Sequence, residues 1–517
     1  MKTIFTILFC LWSVALLQAQ VIEQDTINPN RGNRDLQLKQ IKERKKSLLT
    51  DSVGGSEPNT AAIIDTTLYN KYGDLLNDDP EYNPRQPLWK PAVQVLGVNA
   101  VFMGFNKFVT KQEYANVSLS SWKHNLTSTP EWDTDGFRVN FIGHPYQGTL
   151  YYNAARSQGY NYWQSLPFAV GGSLTWEYFG ETTLPSYNDM IYTPLNGAAL
   201  GEILYRISSN ILDDRTTGAE RTVREIAAGL VNPMRGLNRL LQGKTRQVTN
   251  KEVYEKEPIN ITIGAGLHRI NNEKDDVFGP GGNNGLLTFQ LDYGNPFEFR
   301  KRKPFDTFRF RGEFSMGQDT VGGVINNITG YGVLAGKNLQ VGKMTLLAGA
   351  FQYYDYWDTR NFELGSLSFG AGVLSRLPLT NQLNLYTNLH AGWIPLAGNG
   401  TRFGPEGEGL RDYVYTTGWQ GKIETTLSLS RYATLAFVYH HFWLDTFEGI
   451  EGSNSVGIVR PKATVRLFKN VSLGYEHFGY TTNRTLVNYP RQRSTITDQK
   501  IFLQIFLEDP QRRGRYQ

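Results

Sequence analysis

The dense set of potentially reactive side chains lies in one stretch of the chain. His144 opens His-Pro-Tyr-Gln-Gly148, and Arg156-Ser157 follows. Ser173-Leu-Thr-Trp-Glu177-Tyr-Phe-Gly-Glu181, Pro185-Ser-Tyr-Asn-Asp189 and Gly197-Ala-Ala-Leu-Gly-Glu202 come next. At helical spacing Ser173, Glu177 and Glu181 share a face, because residues four apart are neighbours. Two carboxylates so placed repel unless a metal ion, a shared proton, or an Arg or His compensates. His144, Arg156 and Arg206 are available for that role. The candidate acid–base or metal residues are therefore His144, Glu177, Glu181, Asp189 and Glu202, supported by Arg156, Ser173 and Ser186. One His with two or three carboxylates suits a divalent cation that activates a water, or a general acid–base set. The pattern names no particular metal. The same residue types would also serve a structural end, pairing with arginines inside a barrel to lock a plug in place.

Other chemistries lack their signatures. No G-x-S-x-G elbow surrounds Ser173, and His440-His441 are adjacent, so in a strand they point to opposite faces. There is no P-loop, dinucleotide fingerprint, EF-hand loop or H-E-x-x-H. Nothing basic and aromatic-interleaved enough for nucleic acid is present.

Those residues need elements to position them. From Pro87 to about Lys244 the pattern is helical, with helices expected over Pro91–Phe105, Pro145–Gly159, Gln164–Gly180, Asn188–Leu212 and Ala219–Leu230. Ser186 with Asp189 resembles a capping box, and Gly197-Ala-Ala-Leu-Gly201 permits close helix packing. From about Pro258 the period becomes two. Tyr415, Thr417, Trp419, Ile423, Leu427 and Leu429 alternate with Thr416, Gln420, Lys422, Glu424, Thr426 and Ser428. About twelve such segments recur, each long enough to cross a bilayer as a tilted strand. A soluble β-sandwich also alternates, but its dry core would not accept mid-strand Arg, Lys and Glu. Aromatics near strand ends (Tyr353, Tyr354, Tyr356, Trp357, Trp393, Phe442, Trp443) are expected to form an outward interfacial girdle. One departure from the common barrel pattern is the polar tail that follows Phe506-Leu507.

Composition agrees. The 517 residues include 28 Phe, 28 Tyr, 10 Trp and 52 Gly, with a mean hydropathy of −0.40, which excludes a polytopic helical membrane protein. A net charge of +5 implies no acidic partner by itself. Met1–Gln20 has the order of a secretory signal, with cleavage after Ala19. The single cysteine, Cys10, lies inside it, so the mature chain would have no disulfide or thiolate site. The expected organisation is a signal peptide over 1–19, a basic and polar extension over 20–84, a helical domain over 85–250, a barrel over 255–509 and a tail over 510–517.

The set His144-Pro-x-x-Gly148, Ser173-x-x-Trp-Glu177, Glu181, Pro185-Ser186-x-x-Asp189 and Gly201-Glu202 resembles an uncharacterised family of Gram-negative envelope proteins, chiefly of the Bacteroidetes type. The resemblance covers roughly Pro87–Leu241 and implies an outer-membrane setting without an established activity. The fold expected is mostly β with a helical N-terminal half: a transmembrane antiparallel β-barrel of about 12 strands, with the helices plugging the lumen or capping its periplasmic mouth. The leading functional expectation is a plugged outer-membrane barrel with a structural, binding or transport role. The alternative is a barrel-embedded hydrolase or transferase acting on membrane lipid or lipopolysaccharide through the His/Glu/Asp cluster. Expected partners are outer-membrane lipid and lipopolysaccharide, and an envelope protein met through the N-terminal extension; nucleic acid is not among them.

Overall fold

The structure is a computed structural model that describes residues 75, 77–271, 281–317, 324–359, 361–401, 413–430 and 432–508. The expected signal peptide, nearly all of the expected extension and the polar tail lie outside the described residues. Among the described residues there are seven α-helices: α1 (Trp89–Phe108), α2 (Leu119–Thr127), α3 (His144–Arg156), α4 (Tyr162–Phe179), α5 (Tyr187–Ile211), α6 (Gly218–Val231) and α7 (Pro233–Leu241). A single π-helical turn, Val139–Gly143, leads into α3. Twelve strands follow: β1 (Ile259–Asn271), β2 (Gly281–Tyr293), β3 (Phe308–Met316), β4 (Ile325–Val341), β5 (Met344–Asp358), β6 (Phe362–Pro378), β7 (Leu383–Thr401), β8 (Val414–Leu429), β9 (Ala433–Glu448), β10 (Gly452–Phe468), β11 (Val471–Leu486) and β12 (Gln492–Glu508). The five helices read from the sequence are all present. The two missed ones, α2 and α7, are each nine residues long, too short for their periodicity to stand out.

The chain forms two compact units. The first holds Pro91 and the described residues before it, with Asn153–Tyr160 and Leu204–Lys256. The second holds Ala92–Tyr152, Asn161–Ile203 and Glu257 onward, and so contains the whole barrel.

The barrel is antiparallel and closed, each strand pairing with its sequence neighbours and β1 with β12 (Ile263 opposite Ile505). Closure leaves no unpaired sheet edge, which a bilayer would not tolerate. The β4–β5, β6–β7, β8–β9 and β10–β11 connections are short. Gly342, at φ +57°, takes a backbone that side chains disfavour in the β4–β5 turn. Side chains alternate as expected. Arg309 on β3 reaches Glu424 on β8 at 2.7 Å, and Lys422 on β8 reaches Asp355 on β5 at 2.6 Å. Contacts between such distant strands must cross the lumen. Lys500 pairs there with Glu313, Arg460 with Glu476, and His268 with Asp498. The opposite faces expose Leu389, Trp393, Trp419, Ile423, Phe437, Trp443, Leu473 and Leu503. A charged interior inside an apolar belt is the inverse of a soluble protein and marks a membrane-spanning outer-membrane barrel. No helix among the described residues is long and apolar enough to cross a membrane.

Two placements differ from the sequence reading. First, Tyr353, Trp357 and Phe442 point inward rather than into an outer girdle. Trp357, Phe362, Phe442, Leu444, Phe478 and Tyr480 belong to one buried cluster inside the barrel, so the barrel's own side chains fill its lumen. Second, the helices of the second unit are not inside. They lie on the outer face of the wall, at the end of the strands opposite the short turns. Gln352, Tyr354, Tyr356 and Asp358 alternate with the lumenal set on β5, and each meets a helical segment. Tyr162 donates to Gln352 at 2.8 Å, Tyr354 to the Phe141 carbonyl at 2.6 Å, and Arg138 to Asp358 at 2.7 Å, while Phe137 stacks on Tyr356. The Phe141 ring fills the space over Gly365 and Gly398, where a Cβ would collide with it. With the lumen occupied by strand side chains, the outer wall is the surface left for the interrupted apolar faces of the helices.

Candidate active site

Close approach of two helices builds the site. On α3, a Cβ at Gly148 would lie 2.0 Å from the Thr193 carbonyl oxygen of α5; one at Gly197 would lie 2.5 Å from the Gly148 backbone. Only glycine at both positions lets the backbones meet. One turn before this contact stand His144 and Asp189, and His144 Nε2 lies 3.7 Å from Asp189 Oδ1. Ser173 of α4 donates to the Asp189 backbone carbonyl at 2.9 Å, which docks α4 alongside.

A non-helical strap completes the cluster. Glu131 forms a parallel bridge with Ser186, donating to the Pro185 carbonyl and accepting from the Tyr187 amide, both at 2.9 Å. The Asp133 amide donates to the Asn188 side chain at 3.2 Å. The strap therefore brings Asp133 and Asp135 to His144, whose Nε2 is 3.8 Å from Asp135 Oδ2. Ligand atoms of Asp133, Asp135 and His144 all lie within 4.8 Å of one another. The barrel wall contributes as well. Tyr415 donates to Asp133 Oδ1 at 2.8 Å, as does Asn140 at 2.7 Å, and Tyr413 donates to the Asp135 carbonyl at 3.0 Å.

Glu177 and Glu181 lie behind this pair. The Ser186 amide donates to Glu177 Oε2 at 2.8 Å, so the start of α5 is held by Glu177 rather than by the expected Ser186–Asp189 capping box. Glu181 falls past the end of α4 and turns back; the Trp176 indole N–H and the Thr183 hydroxyl donate to its carboxylate.

The charges do not balance. Asp133, Asp135, Glu177, Glu181 and Asp189 surround one imidazole, and among the described residues no arginine or lysine pairs with any of them. Glu177 and Glu181 are thus not locked to lumenal arginines, which pair instead with carboxylates of the strands. Burial, reinforced by Glu181, pushes the Glu177 carboxyl up to about 8. Burial likewise raises Asp189 well above the carboxylate range, with Asp133 and Glu177 adding to it. Asp133 shifts the other way: burial opposes its ionisation, but Asp189, His144, Tyr415 and Asn140 hold its pKa below the ordinary value, so Asp189 is the weaker acid of the two. Burial opposes a charge on His144, but Asp189, Asp135, Glu177 and Asp133 outweigh it and raise its pKa well above the ordinary value. Even so, His144 Nε2 and Asp189 Oδ1 have no hydrogen-bond partner, although both are buried.

The remaining sequence candidates stand apart. Glu202 accepts from the Tyr152 hydroxyl at 2.7 Å. It is thirteen residues along α5 from Asp189, roughly 20 Å at helical rise. Arg156 belongs to the first unit, where it stacks over the Tyr205 ring at 3.9 Å and donates to the Tyr160 carbonyl. Asp133, Asp135, Tyr413 and Tyr415 escaped the sequence reading. The signal for the first two was present in Trp132-Asp-Thr-Asp135, two acids within twelve residues of His144; the tyrosines arrive only through tertiary structure.

Residues 129–234 match the family described as a domain of unknown function, DUF3943. The matched stretch holds His144 and all five carboxylates around it. No curated protein matches the chain. Among solved structures, the outer membrane channel DcaP of Acinetobacter baumannii is similar at 8% identity, covering 48% of this chain and 96% of that one, with a TM-score of 0.21. The NanC porin is similar at 9% identity, 48% and 98% coverage, and a TM-score of 0.25. The toluene transporter TodX of Pseudomonas putida gives 7%, 48% and 89%, and 0.21. At these values the likeness carries no argument about function.

Proposed function

We propose that the barrel anchors and walls a helical domain that hydrolyses an envelope amphiphile, a membrane lipid or lipopolysaccharide, rather than conducting a solute. The observation that carries this reading is the buried excess of carboxylates around His144, built against the outward-facing Tyr413 and Tyr415. A cluster holding a fold together would be charge-balanced, whereas a buried acid raised toward neutral pKa, as Glu177 is, suits proton transfer to and from a reacting ester. In hydrolysis Asp135, at the open side, takes a proton from the water that adds to the acyl or phosphoryl centre; His144 gives one to the leaving alcohol and is resupplied from Glu177 behind it, half-protonated near pH 8. Asp135 is the exposed member and marks the side open to substrate; its side chain is 56% exposed. Apolar side chains on the same helical segments, including Leu126, Leu174, Phe179 and Ile191, are exposed, as a domain working beside acyl chains requires. The finer kinship, to Gram-negative envelope proteins of the Bacteroidetes type, suits the same setting.

Lipid mass spectrometry of outer membranes tests the reading in three strains: one without the protein, one with wild type, and one with Glu177→Gln and Glu181→Gln. Heat-modifiable gel migration verifies that the variant barrel is folded. A species that depends on wild type and is lost in the folded variant is the expected result. Identical lipids in all three strains would overturn it. The filled lumen supports the other half of the reading: the purified barrel in a planar bilayer should give no ohmic conductance steps, and a steady pore would contradict it.

A further inference from the structure

We propose that Asp133, Asp135, His144 and Asp189 form a binding site for one divalent first-row cation, Mn2+ or Zn2+. This deepens the reading above, resting on the same cluster, and supplies the ion that the sequence pattern left unnamed. Three observations support it. The ligand-capable atoms of Asp133, Asp135 and His144 are mutually within 4.8 Å, the spacing at which one ion touches all of them. Asp189 Oδ1 comes within 3.7 Å of His144 Nε2, too far for a hydrogen bond but close enough for both to ligate a single ion. Those two atoms, on residues 2% and 8% exposed, have no partner of their own. A buried acceptor and a buried ring nitrogen facing each other across such a gap are costly unless something lies between them.

The donor set indicates the class of ion. Carboxylate oxygens alone would suit Ca2+ or Mg2+, but an imidazole ligand favours first-row transition ions and Zn2+. A closed structural zinc site would use sulfur or several imidazoles, and the only cysteine, Cys10, lies far away in the sequence. The partly exposed Asp135 leaves one side for water or substrate. The outer ring is that of a metal site: Tyr415 and Asn140 donate to Asp133 Oδ1, and second-ring donors of this kind fix ligating carboxylates. Two positive charges would also compensate five carboxylates that otherwise share a single imidazolium.

The full-length chain, purified as a folded barrel in detergent and stripped with a chelator, should be dialysed against Mn2+ or Zn2+ and assayed for bound metal. One equivalent per chain is expected in wild type and in Glu225→Gln, a carboxylate variant of the first unit. Asp189→Asn and His144→Gln should lose it. Because a ligand variant can fail to fold, a second measurement uses wild type alone. Pulsed electron paramagnetic resonance of bound Mn2+ should show coupling to one imidazole nitrogen. No stoichiometric metal, metal retained in both ligand variants, or bound Mn2+ without nitrogen coupling would each overturn the site. Failure of the metal is distinguishable from failure of the lipid reading. Metal bound with unchanged membrane lipids removes the substrate and leaves the ion; changed lipids without bound metal do the reverse.

Discussion

Two regions of this protein are crowded with acids, and they resolve the crowding in opposite ways. In the first unit Asp213, Asp214, Glu225 and Glu252 face Arg215, Arg221, Arg239 and Lys256. Arg239 donates to Glu225 at 2.6 Å and Asp214 at 2.9 Å, Arg221 reaches Asp214 at 2.9 Å, and Arg215 and Lys256 each reach Glu252 at 3.1 Å. Every acid there has a cation. Around His144, five acids share one imidazole, and two buried atoms have no hydrogen-bond partner. The number of carboxylates is similar; the balance of charge differs. A buried pair that is fully matched holds elements together, whereas a buried excess persists only where an ion, a proton or a reaction uses it.

The largest effect expected from this contrast is at Arg239. Its replacement by Ala strands Asp214 and Glu225 as buried, partly uncompensated charges, which costs about 3–5 kcal/mol. Peptides spanning Leu204–Lys256 should then lose hydrogen-exchange protection, and unchanged protection would show that the ion pairs do not hold this unit. At the site the sign reverses. Asp189→Asn removes an acid whose ionised form is disfavoured by burial and by the neighbouring Asp133 and Glu177, so the metal-free protein should gain about 1 kcal/mol. A loss as large as that at Arg239 would mean Asp189 is a structural partner, and would erase the distinction between the two regions.

How much of this was legible in the sequence follows from the range of the forces involved. The barrel was legible because a two-residue period is local: Lys422 and Glu424 against Ile423 on β8 already separate lumen from lipid. His144, Glu177, Glu181 and Asp189 stood out because helical spacing and motif density are also local, and the Gly197–Gly201 stretch signalled close helix packing; that Gly148 is its partner did not show. What lay beyond reach was tertiary. Phe442 and Trp443 are adjacent aromatics; which of them faces inward depends on strand parity fixed by the whole ladder. The helices were expected in the lumen or capping its periplasmic mouth because their apolar faces are interrupted by polar residues. Trp357 and Tyr480, residues more than a hundred apart, meet in the lumen instead, and the helices take the outer wall. Glu202 read as part of the cluster because it sits in a motif. Its distance along α5 separates it from Asp189 all the same.

The smallest effect, and the most direct contrast, is in pH. In the first unit burial opposes ionisation of Asp213, but Lys256 and Arg215 hold its pKa below the ordinary 3.8. An acid lowered in the folded state contributes stability above its unfolded pKa, and that contribution is lost as pH falls through the folded value. Glu177 is shifted the other way, from 4.5 to about 8, by burial and then by Glu181, with Asp133 adding and His144 subtracting. A raised acid contributes stability below its unfolded pKa, which is lost as pH rises through about 8. Hydrogen exchange in a chelator should therefore show peptides of Leu204–Lys256 loosening below pH ~4 and those of Tyr162–Ile203 loosening as pH rises from ~5 to ~8. The change is spread over Glu177, Glu181, Asp189 and His144, which titrate together, so each step is shallow. Added Mn2+ sharpens the comparison. A cation among these acids favours their ionised forms, so the site peptides should keep their protection above pH 8 while the first unit is unaffected. If both regions loosened toward the same end of the pH scale, the excess of acids around His144 would be compensated by something other than protons or an ion.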